Sequence, residues 1–386
     1  MQGQRAIRIG IFTLALMVLA EPLHAQDFNH RTIFDEAPWI SARAAGMAEA
    51  VDPIANGMEA PYYNPSAIGG INTSKDKPAV SELFFPYIGF ALNHSSQSLN
   101  KALQSGSDLN DSSVSNALLR AYDGEHPYAR LSLLPAVTFY RFFLGMTYDV
   151  RAASTPNPEQ NDQMDVNYRE QSGPVFGASY VTPKRDWYLG ITGSYINRTV
   201  VDGSFPLATL NDVSSRRQAF RANQRSYAGL PVHVSSMWSG NYRWRPTVSL
   251  VARDVTSPKL KSRQADTDDL RIHEDTTLGF GLSPALGNSM MLNMVLEINR
   301  LTDKHLATED RLRFGTELTF GNAFGAESGM SLRTGYSKAG ISYGFGVNLG
   351  MFGLQAASFA EDIGVGTSHV IERRSVINLG LNIADY

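Results

Sequence analysis

The eight histidines of this 386-residue chain are scattered, without the spacing that a metal site needs. The Gly-x-Ser-x-Gly spacing of Gly340-Ile341-Ser342-Tyr343-Gly344 runs into an alternating strand pattern rather than a strand-to-helix turn, so it forms no nucleophile elbow, and Gly344-x-Gly346 lacks the third glycine of a dinucleotide loop. The residues therefore point to a protein that is not an enzyme and needs neither cofactor nor metal. What could still do chemistry is charge set among apolar neighbours. Arg311, Arg313, Glu317 and Arg333 fall on one face of their segments, and such a face can build ion ladders inside a hydrated channel. Arg216, Arg217, Arg221 and Arg225 form a basic cluster that could meet lipopolysaccharide phosphates or a ligand carboxylate, or be the solvated face of a helix. Leu99, Leu103, Leu118 and Leu119 lend one long loop an amphipathic character. Together with Phe205 they could line an apolar groove for a ligand, or pack as a loop's own small core.

The elements that must carry these residues are strands. From Met290 to Arg300 the even positions Met290, Leu292, Met294, Leu296 and Ile298 are apolar, while Asn293, Glu297 and Asn299 occupy odd ones. Leu312, Phe314, Leu318 and Phe320 repeat the pattern against Arg311, Arg313, Glu317 and Thr319. Ile341, Tyr343, Phe345, Val347 and Leu349 do so again against serine, glycine and asparagine. Period two is the signature of a two-faced strand. A soluble sandwich alternates as well, but here the second face carries Arg, Glu, Asn and Gly. The runs also reach the ten or so residues that a tilted membrane-crossing strand requires.

Counting such runs between Val80 and Ala384 predicts about fourteen strands. The connections alternate too: after odd-numbered strands they are mostly long and polar, after even-numbered ones short, with the tight Lys338-Ala339 turn as the exception. Short turns on one side and long loops on the other are the layout of a bacterial outer-membrane barrel.

The N-terminal residues agree with export. Arg5 and Arg8 precede the apolar run Ile9–Ala20, which is too short to span a bilayer as a helix, and Ala25 suits signal cleavage. No cysteine is present, so neither a lipid anchor on cysteine nor a disulfide framework is available. A formal net charge of -3 argues against a nucleic-acid partner. No stretch after Ala20 is apolar enough for a membrane helix, so a membrane role requires strands that close on one another.

Between the signal and the first strand lie about fifty residues without alternation. They include Ser41-Ala42-Arg43-Ala44-Ala45-Gly46-Met47-Ala48-Glu49-Ala50 and Ala60-Pro61-Tyr62-Tyr63-Asn64-Pro65-Ser66-Ala67-Ile68. Small residues permit close packing inside a barrel, and Asn64-Pro65 can open a short helical turn. Over about thirty residues this segment resembles the N-terminus of FadL-like outer-membrane transporters of hydrophobic compounds, and of relatives such as the PorV barrels of type 9 secretion. The resemblance is carried by Ala42-Arg43, Gly46-Met47, Ala50, Ala60 and the run Tyr63-Asn64-Pro65-Ser66-Ala67-Ile68, with departures at Ala48, Pro61 and, within that run, Ser66. Ala48 stands where that pattern has a second glycine, and Ser66 where it has alanine. The resemblance implies a hatch folded into the lumen.

The expectation is an all-β, transmembrane antiparallel barrel with residues 1–25 as signal peptide, 26–78 as hatch and 79–386 as barrel. It would sit in the outer membrane among lipid and lipopolysaccharide and pass a hydrophobic small molecule, fatty-acid-like or aromatic, gated by the hatch. The alternative is a PorV-like scaffold or shuttle that engages envelope or secreted proteins.

Overall fold

The computed structural model describes residues 39–68, 70, 81–93, 126–156, 162–255, 259–263, 268–272, 274–303, 306–321, 328–363 and 370–385. The expected signal peptide and the loop leucines Leu99, Leu103, Leu118 and Leu119 lie outside the described residues, as do both ends of the expected hatch.

The strand segments pair antiparallel into one closed sheet and merge into fourteen spanning strands. We number them β1 (Ser81–Asn93), β2 (Tyr128–Leu133 with Ala136–Phe139), β3 (Phe142–Pro156), β4 (Gln163–Val181) and β5 (Trp187–Ser194 with Ile196–Pro206). Next come β6 (Gln224–Gly229 with Val232–Ser239), β7 (Thr247–Arg253 with Lys259–Ser262), β8 (Leu270–Arg271 with Asp275–Leu282), β9 (Met290–Ile298) and β10 (Leu312–Gly321). The ring ends with β11 (Ser328–Ser337), β12 (Gly340–Leu349), β13 (Phe352–Asp362) and β14 (Ile371–Asp385). Strand β14 returns to β1, pairing Asp385 with Ser81 and Arg374 with Asn93, and this pairing removes both sheet edges.

Alternation sorts the side chains as the sequence suggests. On β3 the exposed Phe142, Leu144 and Met146 face outward, and Phe143, Thr147 and Asp149 are buried inside. Outward Ile377, Leu379 and Ile383 on β14 flank the inward Asn378. Two aromatic bands border the apolar exterior. Tyr180, Tyr242 and Trp244 mark the short-turn end, and Tyr148, Tyr195, Tyr336 and Tyr343 stand toward the long-loop end. Aromatic girdles of this kind sit where hydrocarbon meets water.

Three of the broken strands share one cause. Leu134-Pro135 interrupts β2, Leu230-Pro231 breaks β6, and Tyr195 breaks β5 opposite Pro174 of β4. A proline cannot donate to the ladder, so each break is a bulge that the neighbouring strand bridges. Tyr195 N–H donates to Pro174 O at 3.0 Å and Ser194 N–H to Pro231 O at 3.1 Å. The wall stays closed at each of these bridged breaks.

Candidate functional site: the luminal segment and its collar

Residues 39–68 lie inside the ring, nearly all of them buried. The segment is a chain of short turns: helix α1 (Ala42–Gly46), 3-10 turns at Asp52–Ile54 and Gly57–Glu59, helix α2 (Ala60–Tyr63) and a 3-10 turn at Pro65–Ala67. Ser41 caps α1 by accepting from Ala44 N–H at 3.1 Å. Asn64 caps the last turn, with Pro65 in the first position, where its missing N–H costs nothing. Asn64 also donates to Asp52 O at 2.8 Å, tying the two halves of the segment together.

Small residues let the segment touch the wall. Gly46 stacks on Gly344 of β12, and a β-carbon on Gly46 would sit 3.1 Å from the Gly344 Cα. A β-carbon on Gly190 of β5 would overlap the Pro65–Ser66 peptide. Ala48, by contrast, takes a left-handed conformation with φ of 52° although it carries a side chain. This is the position where the resembling pattern has glycine. An L-residue there is strained, so Ala48→Gly is expected to raise stability by about 1 kcal/mol. Urea unfolding in detergent checks this, and an unchanged midpoint would show that the strain is absent.

The collar around the segment has two different halves. On β7 to β11 it is ionic. Glu317 of β10 takes a two-pronged bond from Arg43, with Nε to Oε1 at 2.9 Å and Nη2 to Oε2 at 2.7 Å. It also accepts from Arg333 Nε of β11 at 2.8 Å and from Asn293 of β9 at 3.0 Å. Arg43 reaches back to Glu59 of the segment at 2.7 Å. A second node joins Asp52 to Arg253 of β7, at 2.6 and 2.8 Å. The same guanidinium donates to the carbonyls of Tyr63 at 2.9 Å and Tyr62 at 3.3 Å, while Glu297 of β9 accepts the Asp52 N–H at 2.6 Å. Arg313 of β10 pairs with Glu49. Two-pronged arginine–carboxylate pairs are the strong, directional members of their class. Arg43, Glu49 and Asp52 therefore each have a wall partner on this side, and Glu59 is paired through Arg43.

On β1 to β4 the collar is apolar. Trp39, Met58, Tyr62, Tyr63 and Ile68 of the segment pack with Phe84, Leu134, Phe143 and Val175 of the wall. The Trp39 ring meets Tyr62 at 6.0 Å and Tyr87 edge-on at 5.3 Å. Contacts of this kind are non-directional and can be exchanged for those of another apolar molecule. Backbone bonds tie the segment here and at nearby strands: Ser179 of β4 donates to Ile68 O at 2.5 Å, Ser66 N–H donates to Ser235 of β6 at 2.7 Å, and Asn378 of β14 accepts from Ala42 N–H and donates to Ile40 O at 3.1 Å.

Cavities lie on both faces of the segment. One of about 230 Å³, toward the short-turn end, is lined by Arg43, Glu317, Arg333, Arg245 and Asn348 among others. Another of about 100 Å³, toward the long-loop end, is lined by Ala48, Glu49, Arg313 and Glu361 among others.

The structure brings Arg43, Gly46, Met47, Asn64, Pro65 and Ser66 together in the lumen, and joins Glu317, Arg313 and Arg333 to them. Arg311 stands apart: its guanidinium donates to the carbonyls of Asp303 and Leu306 in its own rim loop, so it belongs to no ladder through the lumen. Phe205 does not line the lumen. It packs at 5.2 Å against Phe220 in a small core with Met164 and Val201, on the outer face of β4 and β5. Glu49, Asp52, Glu59, Arg253, Glu297 and Trp39 were missed by sequence reasoning. The available signal was three acids among thirty mostly small or apolar residues of the segment, matched by arginines at inward strand positions.

No protein-family model matches the chain, and no curated protein sequence does. Among solved structures it is similar to the Ralstonia pickettii toluene transporter TbuX, with a TM-score of 0.49 and 9% identity over 90% of this chain and 98% of that one. It is similar also to the Pseudomonas putida toluene transporter TodX, with a TM-score of 0.46 and 8% identity over 89% and 97% of the two chains. A TodX deltaS2S3 mutant monoaromatic hydrocarbon channel gives 0.48 and 8% over 90% and 98%. At these identities the likeness is one of overall fold.

Proposed function

We propose that this chain is an outer-membrane channel, FadL-like in design, that passes a hydrophobic small molecule by passive diffusion, with the luminal segment as its gate. The observation that carries the reading is the two-sided collar. A segment held by ion pairs to β7–β11, and by exchangeable apolar contact to β1–β4, can yield on one side while it stays anchored on the other. An apolar cargo entering between Trp39 and the Phe84–Phe143 wall replaces one set of apolar contacts with another. It never has to displace a buried charge, which would cost several kcal/mol.

The apolar exterior with its aromatic bands supports the membrane setting, and the N-terminal Arg5–Ala25 pattern supports export through a cleaved signal. In this reading the short turns face the periplasm and the long loops face the outside of the cell. The comparators' printed cargo, toluene, makes a small aromatic hydrocarbon the natural first probe.

Trp39→Ala removes the largest side chain on the apolar side. In liposomes containing the protein, uptake of a labelled aromatic hydrocarbon is expected to rise several-fold over the unaltered chain. Unchanged uptake would place the path elsewhere.

A further inference from the structure

We propose that the outward side of β4–β7 at the upper edge of the apolar band is a docking surface for the phosphates of the glycolipid in the outer leaflet of the outer membrane. The proposal rests on the membrane placement given under Proposed function, but not on transport.

Helix α3 (Leu207–Asn211) and helix α4 (Val213–Asn223) connect β5 to β6. Asp212 caps α4: hydrogen bonds from Ser214 and Ser215 hold its carboxyl below the usual range, at about 2. Ala219 and Phe220 of α4 pack onto Phe205, Met164 and Val201. Register decides which side of the wall this is. Met164 pairs with Phe205 and Tyr168 with Val201, and these positions alternate with the buried Arg169, Gln171 and Arg198 of the lumen. The helix is therefore clamped to the outside of the barrel, where the neighbouring molecules are lipids.

Its free face carries Arg217 and Arg221, one turn apart and both exposed. Like charges four residues apart disfavour a helix, and α4 itself contains no acid to offset them. On β7, two strands beyond β5, Lys259 and Lys261 are exposed on either side of the fully buried Leu260, and so face outward too. None of these four cations has an ion pair among the described residues.

Their height fits a phosphate layer. The row Asn197–Ala228–Lys261 crosses β5, β6 and β7 just above Tyr195 of the upper aromatic band. Asn197 of that row is ten residues beyond the first residue of β5, Trp187, and Ala228 is ten residues from Trp238, the β6 partner of Trp187. At ~3.3 Å per residue and a tilt of ~40° that is about 25 Å, level with the top of a ~25 Å apolar band. Unpaired cations at that level meet lipid phosphates before anything else. A cargo carboxylate bound for the lumen would not reach them, because they face away from it.

The test uses the full-length protein in detergent, with diphosphoryl lipid A, its dephosphorylated form and inorganic phosphate as probes, read by native mass spectrometry. Diphosphoryl lipid A is expected to bind about tenfold or more tightly than the dephosphorylated lipid. The combined variant Arg217→Ser, Arg221→Ser, Lys259→Ser, Lys261→Ser should lose that preference. Hydrocarbon uptake by the variant in liposomes of plain phospholipid should match the unaltered protein, so failure of this proposal and failure of the transport reading are distinguishable. Equal binding of the two lipids by the unaltered chain would overturn the proposal, and so would a variant that keeps the preference. Competition by millimolar inorganic phosphate as effective as the lipid would do so as well, assigning the surface to a soluble anion.

Discussion

A disulfide joining Ile68→Cys to Gly177→Cys will abolish hydrocarbon uptake, and reduction will restore it. A β-carbon built on Gly177 of β4 falls 2.5 Å from the end of the Ile68 side chain, so replacing both residues puts two sulfurs across the seam between luminal segment and apolar wall. The chain has no cysteine of its own, so no other pairing competes. The bond would lock the side of the gate that is proposed to yield and leave the ionic side untouched. Expected loss is to the level of empty liposomes, with full recovery on reduction. Uptake that persists through the oxidised state, verified by mass, would show that the segment need not leave β4.

Glu317→Gln addresses the anchored side. Glu317 is the single anion between Arg43 and Arg333, and all three side chains are buried. An amide of the same shape keeps the packing but leaves Arg43 with Glu59 as its remaining carboxylate and Arg333 with none among the described residues. Breaking a buried pair by removing one partner costs about 3 to 5 kcal/mol. The loss falls on the attachment of the segment more than on the barrel, whose strands are paired along their length. The expected result is a folded barrel with protease-sensitive residues 39–68 and raised single-channel conductance in planar bilayers. A variant as quiet and as resistant as the parent would mean that Glu317 does not hold the segment in place.

The strand frame was legible because side-chain direction alternates with a fixed period of two, so each apolar row declares its face without any knowledge of partners. Leu312, Phe314, Arg313 and Glu317 illustrate this; counting such runs led to about fourteen strands, and the parity of loop lengths required an even number. The breaks were not legible. A bulge at Tyr195 or Leu230-Pro231 shifts the phase by a residue, and nothing local says whether the strand ends or resumes. Ion partners were hidden for another reason. Arg43 and Glu317 are 274 residues apart, and only closure of the ring brings them together. Inward direction could be read for Arg333 and Glu317, but Arg311, in the same phase, ends the helical turn that leads into the strand and bonds its own loop. Phe205 packs in the small core of its own loop, one of its two readings, but which side of the wall that core covers was not legible, because apolar character does not tell the inside of a barrel wall from the outside beyond the apolar band.

The central claim is that the cargo is a hydrophobic small molecule and that the gated lumen is its path. The most direct measurement compares a deletion strain with its complemented parent for uptake of a labelled aromatic hydrocarbon, with proteomics of the secreted fraction from the same cells. The account predicts that uptake falls in the deletion strain and returns on complementation, while the secreted proteins do not change. Uptake that stays level while secreted proteins disappear would contradict it.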